Sequence, residues 1–173
     1  MRTLLPDVPP PDMQAALERR RRLGLDIYDE TWEGVYHMAP MARFGHGRVQ
    51  ARVLELLGPL ARQAGLEISG PFNLGDPDDF RIPDLGVHGG RPGDDESYLT
   101  TAVVVVEIAS PEDETWDKVD FYASHGVREV FVLDAASKCA RILRLDRSSY
   151  REAEVSELLA VDVSRLVSAL GWV

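Results

Sequence analysis

Residues 101–122 read TAVVVVEIASPEDETWDKVDFY, and the fold turns on them. Small and β-branched apolar residues fill positions 102–106, then one acid, Glu107, precedes Ile108 and Ala109. Such a run between chain breakers predicts a strand buried on both faces. A carboxylate inside it is expensive unless a cation meets it or it takes up a proton. After Ser110-Pro111 and an acidic loop, a short helical pattern over residues 114–124 carries Lys118, the segment's only lysine.

Just upstream, residues 80–88 (FRIPDLGVH) alternate well enough to predict a strand holding Asp84 behind Pro83. Asp84 and Glu107 then lie on neighbouring strand ends. Facing one side at ~4 Å, they would repel by ~4 kcal/mol at an effective dielectric of ~20. A divalent cation removes that penalty. Oxygen-only ligands suit Mg²⁺ or Mn²⁺, which take one or two carboxylates and keep waters for a phosphate substrate. A nearby lysine can position the attacking water or stabilise charge in the transition state. With Asp113 or Thr115 as helix cap, Lys118 falls in the first turn, near the strand end; with Ser110 as cap it lies ~12 Å along the axis. The later start is expected, with Tyr122 walling the site and Trp116, Val119 and Ala123 packing inward.

Further out, residues 1–11 form a proline-rich arm, and Asp12 is read as the cap of a helix that Gly24 stops. The arginines at 19–22 point about 100° apart around that helix, so they read as a solvated face. Residues 25–30 and 34–38 read as a hairpin joined by 31–33, with Glu33-Gly34 at the turn and Pro40 closing the second strand. A long helix over 45–64 has Val49, Val53, Leu56, Leu57 and Leu60 at helical spacing, His46 in its first turn, and a kink or break at Gly58-Pro59. Residues 66–72 read as a strand and 73–79 as a polar turn. Strands at 129–133, 140–145 and 150–155 and a helix at 163–170 complete an α/β order, a mixed sheet flanked by helices. The expected organisation is an arm and helix, 1–24, followed by one domain, 25–173.

Net charge −10 argues against a protein that coats nucleic acid, whose binding rests on phosphate neutralisation. No apolar run is long enough for a membrane span, and the N-terminus lacks a signal-peptide pattern. One cysteine, Cys139, allows no internal disulfide, which fits a reducing cytoplasm. His37, His88 and His125 show no ligand spacing and read as surface or packing residues.

Pro83-Asp84, the run Val105-Val106-Glu107-Ile108-Ala109-Ser110-Pro111, Asp117-Lys118 with Tyr122, His125-Gly126-Val127, and Val130-Phe131-Val132-Leu133-Asp134 resemble the Uma-two family. Those restriction-endonuclease-like proteins belong to the PD-(D/E)XK nuclease superfamily. The likeness spans residues 28–144, including Glu33-Gly34 and His46. It implies a restriction-endonuclease-like mixed sheet flanked by helices and dependence on Mg²⁺ (or Mn²⁺). It also implies a nucleic-acid-cleaving site at Asp84, Glu107 and Lys118, with Asp84 and Glu107 holding metal and Glu33 and His46 in support. DNA is the expected substrate. Two departures stand out: Ala109 occupies the superfamily's usual lysine position, two after the acid, and the loop from 110 to 118 is short. Net −10 and the displaced lysine suit an alternative, a catalytically inactive interaction or regulatory module. A hydrolase of small phosphoesters is a third reading. A nuclease should show Arg43, Arg48, Arg81 or Arg91 rimming the carboxylates, and exposed strand edges are compatible with a homodimer.

Overall fold

The computed structural model describes residues 3–5, 10–40, 42–109 and 114–172. In chain order the first half gives β1 (Thr3–Leu5), α1 (Pro11–Arg22), β2 (Glu30–Trp32), β3 (Val35–Met38) and α2 (Phe44–Gln63). Five strands follow: β4 (Glu67–Ser69), β5 (Asn73–Asp76), β6 (Asp79–Arg81), β7 (Leu85–His88) and β8 (Tyr98–Leu99). Then come β9 (Val104–Ala109), a 3₁₀ turn (Thr115–Lys118), α3 (Val119–Ser124), β10 (Glu129–Asp134) and β11 (Cys139–Asp146). The described chain ends with β12 (Ser149–Ala153), β13 (Val155–Ser156), β14 (Val161–Asp162) and α4 (Val163–Leu170).

The valine run is β9, inside a sheet ordered β12-β11-β10-β9-β7-β4. Val104, Val105 and Val106 are wholly buried because both faces of this sheet are covered. Val104, Val106 and Ile108 meet Val49, Val53, Leu57 and Ala61 of α2. The alternate residue Val105 meets Phe121 and Tyr122 of α3. Period-two alternation therefore puts Glu107 on the α3 face. β10 runs parallel to β9, and such a pair needs a crossover; α3 supplies it.

Residues 80–88 are not one strand. β6 belongs to a second sheet, β1-β3-β2-β6-β5-β8, and β7 to the first, so Ile82-Pro83-Asp84 bridges the two. Proline has no N–H to give to a ladder, which suits a step between sheets. The expected polar turn at 73–79 is instead the β5–β6 hairpin, paired Leu74 to Arg81 through Asp76 to Asp79. Gly75 makes it possible: its φ is +122°, and a Cβ there would lie 2.3 Å from the Asp79 carbonyl and 2.9 Å from the Phe121 ring. Gly75→Ala is expected to destabilise the protein by about 1–3 kcal/mol, read as a lower midpoint in urea with an unchanged slope.

Other expectations shift for local reasons. The first hairpin turns at Glu33 and Gly34, both with positive φ, as their place in the sequence suggests, but its first strand is β2 at Glu30–Trp32 rather than 25–30. Residues before it are drawn off by Asp29, which accepts from Arg20, Tyr36 and the Ala39 N–H. Arg20 is thus committed to a structural ion pair. α1 starts at Pro11, with Asp12 inside its first turn rather than capping it. α2 runs on through Pro59 as one helix, because Val53, Leu57 and Ala61 hold both of its halves on the sheet. Ser110 and Asp113, the alternative caps, lie outside the described residues, as does most of the arm; Thr3–Leu5 of that arm pair with β3. Trp116 is exposed beside Arg141 rather than packed inward; Phe121 and Tyr122 face the core.

Candidate functional site

β7 and β9 pair antiparallel, with Leu85 opposite Val106. One step further along that register, Asp84 comes opposite Glu107. The Asp84 Oδ2 accepts the Ile108 N–H at 2.7 Å, which locks the carboxylate onto the strand. Its Oδ1 lies 2.7 Å from the His46 Nε2, and Gln50 donates to its backbone carbonyl at 2.8 Å. His46 and Gln50 are four apart on the first turns of α2, so one helix face grips Asp84.

Behind this pair the site is closed. Glu107 is 4% exposed and accepts the Tyr122 O–H. Lys118, the last residue of the 3₁₀ turn, reaches 3.4 Å from the Glu107 Oε1 and 2.7 Å from the Glu30 Oε1. Glu30 also accepts the Ile82 N–H at 2.7 Å and the Trp32 indole N–H at 2.6 Å. Asp84 and His46 side chains keep 17% and 20% of their surface, so the cluster opens on their side.

Of the five residues expected at the site, four therefore lie together: Asp84, Glu107, Lys118 and His46. Glu33 does not join them. It is exposed at the hairpin turn, where its backbone N–H binds Asp79, and Glu30 fills the position given to it. Arg81 is no rim residue either: it is buried between the Trp32 and Phe121 rings, 4.3 and 4.1 Å from their centroids. Arg91 is exposed and paired with Asp94. Arg43 and Arg48 are exposed on the turns around His46. His37 stacks on Trp32 and His125 on Phe121, both as packing residues.

Burial pushes the Glu107 carboxyl up to about 8; Lys118 opposes the shift and Asp84 adds to it. Burial pulls Lys118 down, but Glu107 and Glu30 together hold it above the ordinary lysine value. A neutral Glu107 and a charged Lys118 are compatible, because Glu30 is the lysine's nearer partner. A group whose folded pKa is raised stabilises most below its unfolded value, and that contribution is lost as pH rises through the folded one. In chelator, wild type should therefore lose thermal stability between about pH 4.5 and 8. Glu107→Gln, which stays neutral, should show a flatter curve and exceed wild type above about pH 8. Melting curves across that range check it; parallel profiles would refute the assignment of a neutral Glu107.

Among the described residues, no three or more His, Cys, Asp or Glu side chains are arranged as a metal cage. A magnesium-type ion asks for less: one or two carboxylates, with waters and substrate phosphate as remaining ligands. Asp84 and Glu107 fit that requirement by donor chemistry: Asp84 helps hold the proton on Glu107, and a cation at the pair would oppose that effect and favour the ionised form.

The Uma2 family, described as "Putative restriction endonuclease", matches residues 26–172, from the approach to β2 to beyond α4. The chain belongs to the Uma2 family. A crystal structure of "a putative nuclease belonging to DUF820" from Anabaena variabilis superposes on this Uma2 chain with a TM-score of 0.66. It covers 82% of this chain and 90% of that one at 17% identity, a likeness of fold. No curated protein matches. The Uma2 fold here is the restriction-endonuclease-like mixed sheet with flanking helices. No helix among the described residues is long and apolar enough to cross a membrane.

Proposed function

We propose that this Uma2 protein is a divalent-metal-dependent endonuclease that hydrolyses phosphodiester bonds of nucleic acid, with DNA the favoured substrate. The observation that carries the reading is the facing pair Asp84 and Glu107, backed by a buried lysine. These two carboxylates would hold Mg²⁺ or Mn²⁺, which supplies Lewis-acid polarisation of a phosphoryl oxygen and a water of lowered pKa. His46 and the Ile108 N–H fix the two oxygens of Asp84, so this carboxylate is oriented before substrate arrives. Lys118 supplies a fixed positive charge for the phosphate as charge builds on it, and Glu30 positions that lysine. Tyr122 fixes Glu107 and helps exclude water behind it. Arg43 and Arg48 beside His46 offer phosphate contacts that the net charge of the chain conceals.

The full-length chain should be incubated with single- and double-stranded DNA and RNA in Mn²⁺, in Mg²⁺ and in chelator, beside Asp84→Asn. Cleavage that needs the ion and disappears in the variant is the expected result. Intact substrates under every ion would defeat the nuclease reading. The second reading, a non-catalytic module, draws on one observation: Lys118 is already engaged by two carboxylates. It predicts no Mn²⁺ uptake by calorimetry and no cleavage.

A further inference from the structure

The sheet face that carries Asp84 and Glu107 holds a second concavity. Side chains alternate along β7, so Asp84, Gly86 and His88 share that face, with His88 about 13 Å from Asp84 at ~3.3 Å per residue. The Phe72 ring lies against Gly86, where a Cβ would come within 2.3 Å of it. That ring meets His88 edge-on, centroids 4.9 Å apart. With Tyr28, they line a cleft of about 710 Å³. Ile82 lines it too, and the Ile82 N–H holds Glu30 in the candidate site, so the two places share a wall.

The lining restricts what can enter. Glu67, Asp94 and Glu96 stand around the cleft against Arg91, which Asp94 already pairs. A phosphate would be repelled there. Burial lowers the His88 pKa, which keeps the ring neutral, and its Nε2 is 2.9 Å from the Ser69 Oγ. Aromatic walls with a few neutral polar atoms suit a flat, uncharged heterocycle with hydrogen-bonding edges. Tyr28 is 40% exposed, a large aromatic surface that no core contact accounts for.

We propose that this cleft takes one unstacked nucleobase of the strand whose phosphate lies at Asp84 and Glu107. The inference rests on the nuclease reading and deepens it. The substrate then is single-stranded or locally unpaired near the cut, and cleavage depends on the base at one fixed position.

An abasic residue stepped through a single-stranded oligonucleotide tests this, with kcat/KM for cleavage by the full-length chain as the readout. One position close to the cut should lose about tenfold when its base is removed, the scale of a base–aromatic stack. Ser69→Trp, which fills the cleft from an edge strand, should show the loss on the intact strand and none further at the abasic position. Tyr28→Ala, on the rim, should shrink the abasic penalty and decides the matter if the tryptophan variant does not fold. A flat profile in wild type, with cleavage intact, overturns the cleft and leaves the nuclease reading standing. A penalty unchanged in the variants also overturns it. A wild type that cleaves no strand overturns both.

Discussion

Replacing Glu107 with alanine is expected to lower nucleic-acid cleavage by on the order of a thousandfold or more, and to remove Mn²⁺ binding in a calorimetric titration. The fold should survive. Glu107 is buried with its pKa raised, so its ionised form does not stabilise the protein. Lys118 keeps Glu30 at 2.7 Å, and the buried Tyr122 hydroxyl loses its Glu107 acceptor at a cost of about 1–3 kcal/mol. A cooperative melting transition lowered by only several degrees, beside lost ion affinity, separates this outcome from simple unfolding. Unchanged Mn²⁺ affinity in the alanine variant would remove Glu107 from the proposed metal site.

Much of this arrangement was legible from one-dimensional signals. A strand buried on both faces leaves an uninterrupted apolar run, and a helix packed by one face leaves apolar residues three and four apart; β9 and α2 have those signatures. An acid inside the run also advertises its own problem, which is how Glu107 could be singled out. Features that depend on a partner strand were not legible. The division of residues 80–88 between two sheets is a matter of long-range pairing, and the β5–β6 hairpin hides in a polar stretch whose key residue is a glycine. The choice between Glu30 and Glu33 is the clearest case. They are three residues apart, and which one meets Lys118 depends on the hairpin turning at Glu33-Gly34, so that Glu30 pairs with His37 inside the sheet. Gln50 left a weak signal, one helical turn after His46, that gains meaning only once His46 is seen to hold Asp84.

Lys118→Ala should be the most destabilising change at the site. The lysine's nearer partner, the Glu30 carboxylate at 2.7 Å, is 7% exposed, and breaking a buried pair by removing one partner costs about 3–5 kcal/mol. For a chain of this size that is a fall in melting temperature on the order of 10 °C. Both stability and activity would drop, so the single variant cannot tell a strut from a functional cation. Glu30→Gln added to Lys118→Ala does. The amide keeps an oxygen for the Ile82 N–H and loses the acceptor of the Trp32 indole N–H, but it removes the buried charge that lost its partner, so the double variant should regain about 1 kcal/mol. Cleavage should stay lost, because no amide replaces a positive charge near the phosphate. Activity returning in step with stability would mean that Lys118 only ties the 3₁₀ turn to β2 and β9, and the cation proposed for the reaction would have to be sought among Arg43 and Arg48.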